Sequence, residues 1–280
     1  MKVAVITDST AYLSKDIRDE YGIHMVPLTV TFDDQSFQEE LDLGADQFYQ
    51  LVKASKDLPK TSQPAIGHMV DLLETLAEDH DAVIAVHLSS GISGTFQSMQ
   101  TAGSMVEGID VYTFDSEISC MPQGFYAVEA AKLAESGTAP EAILARLNEM
   151  KETMRAYFLV DDLVHLHRGG RLNGAQALVG SVLQVKPILH FVDTKIVPFE
   201  KIRTQKKAIK RLLDLIDEDA KDGTPLRASV IHANCPMLAE TLIRELKERY
   251  TNVEITMSYF GAVIGTHLGE GSLGLGWYKK

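Results

Sequence analysis

The chain has 280 residues, 45% hydrophobic and 24% charged, and its 39 acidic and 27 basic side chains leave a net charge of −12. Such a chain can bury a sizeable core, and its length favours two domains, while its negative field argues against nucleic acid and anionic membrane but still admits a small anion in a sheltered cleft. Cys120 and Cys235 lie far apart without C-x-x-C spacing, which excludes a disulfide scaffold and a cysteine zinc site, and the apolar run that opens the chain ends at Asp8, too short for a signal core or a membrane span.

Short apolar runs alternate with longer amphipathic segments, as in β-α-β units on a mostly parallel sheet. In the first half strands are expected over 2–7, 25–31, 82–86 and 110–113, and helices over 14–21, 45–55, 65–79, 95–106 and 123–134. Several of these helices follow Ser, Thr, Asp or Pro, as helix starts require. Ala139-Pro140-Glu141 opens a charged helix to about Met154, after which a strand is expected over 156–160 and the domain boundary near residue 154. The second half reads helix 172–183, strands 187–192 and 195–198, helix 204–220, strand 227–232, helix 236–250 and strand 253–257. Both halves are therefore expected to be α/β, one over 1–154 and the other over 155–280. Without a fixed repeat or a long Gly/Ser linker they should pack together, with a ligand cleft between them.

The most informative stretch runs from Val83 to Thr95, where an apolar strand enters Ser89-Ser90-Gly91-Ile92-Ser93-Gly94-Thr95 and a helix follows. Small residues at the C-terminal end of a buried strand let the backbone approach a ligand, and hydroxyls with free helical N–H groups favour an anion. Ser93 could equally be a helix cap. Lys60-Thr61-Ser62-Gln63-Pro64 and Asp8-Ser9-Thr10 occupy comparable positions, so one shared pocket is expected. Gly91-Ile92-Ser93-Gly94 also invites comparison with a nucleophile elbow, but position 95 is Thr where that motif needs Gly.

Gly269-Glu270-Gly271-Ser272-Leu273-Gly274 satisfies G-x-G-x-x-G, but the chain ends at Lys280, leaving no room for the following helix or the ribose-binding acid. Its glycines are better read as letting the backbone turn tightly around His267. His165-Leu166-His167 lacks the further ligands a metal would need. Arg168-Gly169-Gly170-Arg171 could bind an anion or simply pair with Asp161 and Asp162. No nucleotide or zinc-protease signature occurs.

Taken together and in order, Asp8-Ser9-Thr10, Pro27-Leu28, Thr61-Ser62-Gln63-Pro64, the Ser89 to Thr95 loop, Asp115-Ser116, Gly169-Gly170-Arg171, Lys186-Pro187-Ile188-Leu189 and Gly265-Thr266-His267-Leu268-Gly269 resemble the DegV family over essentially the whole chain. The resemblance implies a two-domain α/β protein enclosing one long-chain fatty acid such as hexadecanoate, with no cofactor and no metal. It also implies a cytoplasmic, non-catalytic subunit that presents the acyl carboxylate to a separate ATP-dependent fatty-acid kinase for acyl phosphate formation. By motif, Thr61 and Ser93 correspond to the carboxylate ligands, Ser62, Gly94, Thr95 and His267 to the rest of the head-group site, and Arg171 and Arg203 to head-group or kinase contacts. Where the family usually has Pro after Gly269, this chain has Glu270. Two other readings compete: a serine hydrolase using Ser93 and His267, and a small-metabolite binding protein.

Overall fold

The structure, a computed structural model, describes residues 1–55, 57–160, 163–172 and 186–280. β1 (Val3–Asp8), β2 (Ile23–Val26), β6 (Ala82–His87) and β7 (Asp110–Asp115) form an all-parallel sheet in the order β2-β1-β6-β7. All six residues of β6 are buried because helices cover both faces, which is why it reads as a continuous apolar run. Ala4, Ile6, Val83 and Ala85 pack with α3 (Ile66–Ala77) and α4 (Thr95–Gly103). Val5, Ile84 and Val86 face the opposite core, with α5 (Met121–Glu135) and α6 (Pro140–Thr153).

The strand expected over 25–31 divides at Pro27-Leu28. Pro27 has no N–H for a ladder, and the Leu28 N–H bonds the Ser9 hydroxyl at 3.0 Å instead. The chain resumes as β3 (Thr29–Phe32), pairing antiparallel with β4 (Gln35–Gln38) and β5 (Lys60–Ser62). α1 (Lys15–Tyr21) is capped by Ser14, whose side chain accepts from the Ile17 N–H, and ends at Gly22 with φ +61°. α2 (Ala45–Ala54) packs beneath the small sheet through Phe48 and Tyr49.

The strands of the second large sheet all come from residues beyond 154. β8 (Arg155–Leu159), β9 (Lys186–Val192), β10 (Lys195–Ile202), β11 (Leu226–His232), β12 (Val253–Tyr259) and β13 (Leu273–Lys279) take the order β10-β9-β8-β13-β11-β12. Among the described strands of this sheet, only β11 and β12 are parallel neighbours. α8 (Gln205–Ala220), capped by Thr204, and α9 (Pro236–Arg249) cover the outer face, burying Leu212, Leu215, Ile216, Leu242 and Leu246 against Leu273, Leu275 and Trp277. The inner face presents Phe158, Leu189 and Ile231 to a core shared with α2, β3 and α10 (Ala262–Leu268).

A further expectation changes, and another falls almost wholly outside the described residues. The helix expected over 172–183 lies outside the described residues except for Leu172, which makes a β-bridge with Ile196. The segment around His267, expected to be a glycine-rich turn, is helix α10. Gly265 is needed there for packing, since a Cβ would lie 2.7 Å from the Tyr49 hydroxyl and 2.8 Å from the Phe48 ring. The turn comes afterwards, with Gly269 at φ +79° and Gly271 at φ +84°, and leads into β13, so this G-x-G-x-x-G opens a strand. Among the described residues, no helix is long and apolar enough to cross a membrane.

Candidate functional site

Between the loops of the parallel sheet and the inner face of the six-stranded sheet lies a cavity of about 300 Å³. Its walls are largely apolar, among them Leu28, Ile92, Phe158, Phe191, Phe260 and Ile264. Polar groups gather where Thr61, Ser62, Ser93, Gly94, Arg171 and His267 meet.

Each polar group is placed by a different element. Thr61 sits on β5 opposite Val30, and its Oγ1 lies 2.8 Å from Nε2 of His267, in the last turn of α10. Ser93 precedes α4, and its Oγ lies 2.9 Å from the Thr95 hydroxyl. Thr95 is fully buried behind Ser93 and does not itself line the cavity. Gly94 is the N-cap residue of α4, where a Cβ would fall 2.0 Å from Oε1 of Gln63. Gln63 in turn donates to the Ser98 hydroxyl at 2.5 Å, tying the Thr61 strand to the first turn of α4. Ser62 follows Thr61 on the cavity wall.

Arg171 reaches the cavity but is held by backbone carbonyls, donating from Nε to Ile92 at 3.2 Å and from Nη1 to Gly169 at 2.6 Å. Arg203 is exposed just beyond β10 and does not line the cavity. The Asp8-Ser9-Thr10 loop does not line it either, because its polar atoms are consumed internally. The Asp8 carboxylate accepts from the Leu88 N–H at 2.9 Å and from Thr10, and lies 3.0 Å from Nδ1 of His87. This loop therefore braces the serine loop from beneath. From the other side, Ser89 donates to the Thr194 carbonyl at 2.6 Å, clasping the β9–β10 hairpin to the serine loop. A Cβ on Gly91 would fall 2.4 Å from that same carbonyl, so the clasp needs glycine there.

At the mouth the hydroxyls and the imidazole are uncharged, while Arg171 brings a positive charge. Burial holds the His267 imidazole down at about 4, with the electrostatic influence of Arg171 and His165 in the same direction, so the ring is uncharged at neutral pH. Its Nδ1 is buried with no hydrogen-bond partner among the described residues, and a Cβ on Gly169 would come within 2.3 Å of it. The hydroxyls and the imidazole can donate hydrogen bonds to a carboxylate, and Arg171, tethered to the Ile92 and Gly169 carbonyls, adds a positive charge beside them. Glu270 turns away, pairing with Lys53 at 2.8 Å and accepting from Asn234 at 2.6 Å. His165 is engaged with the Thr266 carbonyl through Nδ1 at 3.3 Å, and no group of three or more metal-ligating side chains occurs among the described residues.

A hydrolase would need Ser93 bonded to His267 and a carboxylate orienting the ring. Here the Ser93 hydroxyl is engaged with Thr95, His267 with Thr61, and Nδ1 of His267 with no group among the described residues. Sequence reasoning missed the supporting residues Glu39 and Tyr12. Glu39 accepts from the Val263 N–H at 2.7 Å, at the start of the helix that carries His267. Nothing in the local sequence around Glu39 signals this contact, which spans 224 positions.

Fold and site define an α/β protein with an interior apolar cavity that ends in a cluster of hydroxyls and a neutral imidazole beside Arg171. The chain matches the family model for uncharacterised proteins of the DegV family over residues 2–280, and it belongs to that family. It is 59% identical over 281 residues to Protein DegV of Bacillus subtilis, covering 100% of both chains. The crystal structure of DegV from Bacillus subtilis, described as a fatty acid binding protein, superposes with a TM-score of 0.96 at 59% identity, covering 100% of each chain. A fatty acid binding DegV family protein from Streptococcus agalactiae superposes with a TM-score of 0.91 at 34% identity, over 100% of this chain and 99% of that one.

Proposed function

We propose that this chain binds one long-chain fatty acid, such as hexadecanoate, with its tail in the cavity and its carboxylate at Thr61 and Ser93. Ser62, the Gly94 N–H and His267 complete the head-group site, with Thr95 orienting the Ser93 hydroxyl. The observation that carries this reading is the pairing of an apolar cavity with a polar end made of hydroxyls, a neutral imidazole and the Arg171 guanidinium. Burying about fourteen methylenes contributes roughly 11 kcal/mol, against roughly 1.5–3 kcal/mol for each hydrogen bond to the carboxylate. The tail therefore supplies most of the affinity, and the head group can remain reactive.

The protein then acts as a non-catalytic cytoplasmic subunit, made of domains 1–154 and 155–280 that close over the ligand. It presents the carboxylate to a separate ATP-dependent fatty-acid kinase, which forms the acyl phosphate. Arg171 serves the head group, and the exposed Arg203 serves the partner. Native mass spectrometry of the purified protein, followed by denaturing extraction, tests the binding step. One long-chain fatty acid per chain is expected, and an empty protein that also refuses added fatty acid overturns the reading. Replacing Arg203 with Ala should leave lipid retention unchanged and slow acyl phosphate formation by the kinase, and loss of lipid would instead move Arg203 into the head-group site.

A further inference from the structure

The inner face of the six-stranded sheet changes character along its strands. Residues in register across a sheet share a face. Leu189, Phe158, Gly274 and Ile231 therefore form one row, and Phe191, Ala156, Gly276 and Ser229 form the next. The head-group end lies towards the first row, because β8 runs from Arg155 to Leu159 and its continuation leads through α7 (Val164–Arg168) to Arg171. The second row is two residues further from it, about 7 Å along an antiparallel strand.

Side-chain volume falls away at Ala156 and Gly276 in that second row, with Phe191 on β9 bordering them. Gly276 has no side chain, and Pro122, at the start of α5, closes over it so tightly that a Cβ there would lie 2.5 Å from Pro122 Cγ. Ala156 is the neighbouring position on β8, and Ala156, Gly276 and Pro122 all line the cavity. The close approach of Pro122 accounts for glycine at 276 whatever the cavity holds. It leaves Ala156, between Gly276 and Phe191, as a small position in this row where a larger side chain would take space from the cavity.

We propose that Ala156, with Gly276 under Pro122, forms the tail stop of the cavity, and that the size of residue 156 sets the longest acyl chain accepted. This inference rests on the fatty-acid reading of the site. Phe158, one row nearer the head, lines the channel, and Ala156 ends it. Gly274 shares the row of Phe158, and a Cβ there would sit 3.0 Å from Cζ of Phe260 and narrow the channel midway.

The test measures affinity for saturated acids from ten to eighteen carbons in the wild type, Ala156→Leu, Ala156→Val and Gly274→Ala. Each displaced methylene costs about fourfold in affinity. Ala156→Leu should bind the twelve-carbon acid within about twofold of wild type and lose roughly 50-fold for the longest acid the wild type accepts, with about three methylenes displaced. Ala156→Val should show the same break with a smaller loss, and it decides the matter if the leucine variant does not fold. Gly274→Ala should weaken every acid long enough to pass Phe260. Unchanged affinity for the longest acids in the folded Ala156 variants overturns the tail stop while leaving fatty-acid binding intact, as does a loss that is uniform across the series. A wild type that binds no acid of the series overturns the fatty-acid reading, and the tail stop with it.

Discussion

Glu39 gives the most quantitative prediction. Its carboxylate is fully buried and accepts from the Ser9 hydroxyl at 2.6 Å, the Val263 N–H at 2.7 Å and the Tyr12 hydroxyl at 3.0 Å. Burial raises its pKa from 4.5 to about 7; these three bonds oppose the shift and Glu40 adds to it. A carboxyl with a raised folded-state pKa contributes stability that is fully present below the unfolded value and lost as pH rises through the folded one. The window therefore opens near pH 4.5 and closes just above pH 7. Between pH 5 and pH 8 the change amounts to roughly 2–3 kcal/mol of unfolding free energy. Glu39→Gln keeps an acceptor and removes the titration, so it should shift stability by a constant and abolish this part of the pH dependence. Urea unfolding of both proteins across that range reads the difference directly, and other titrating groups cancel in the subtraction. Parallel stability profiles for the two proteins would refute the assignment.

Three further outcomes follow from the site. Ser93→Ala should keep the fold and weaken fatty-acid binding by roughly 1.5–3 kcal/mol, measured by displacement titration; unchanged affinity would leave Ser93 only its bond to Thr95. The His267 ring should stay neutral from pH 8 down to pH 5, since burial holds it at about 4, and a proton-resonance titration of that ring with a midpoint near 6.5 would contradict its burial. Gly169→Ala places a Cβ 2.3 Å from Nδ1 of His267, so it should part His267 from Thr61 and weaken ligand binding, and wild-type affinity in that variant would show that the contact is dispensable.

Much of the fold was legible because its signals are local. β6 reads as a strand from its apolar run, and Ser14, Pro140 and Thr204 mark the helix starts that α1, α6 and α8 use. What escaped was structure whose stability is not local. β4 and β5 are short and polar, and they exist because β3 lies between them. α10 is seven residues long with an internal glycine, too short to hold as an isolated helix, and it persists because Phe48 and Tyr49 pack against Gly265. β13 contains Gly274 and Gly276, poor strand formers on their own, yet it pairs with β8 and β11 on either side.

For the site, the sequence alone determined the chemistry on offer: hydroxyls at Thr61, Ser62 and Ser93, a glycine at 94 and an imidazole at 267. Tertiary structure decided which of them meet. It brought Thr61 within 2.8 Å of His267 across 206 positions, turned Asp8 and Ser9 inward as braces, placed Thr95 behind Ser93, and left Arg203 outside. The physical reason is that residue type and spacing report on neighbours within a turn or a strand, whereas burial, and with it the neutral state of His267 and the raised pKa of Glu39, depends on segments that meet only when both sheets have packed.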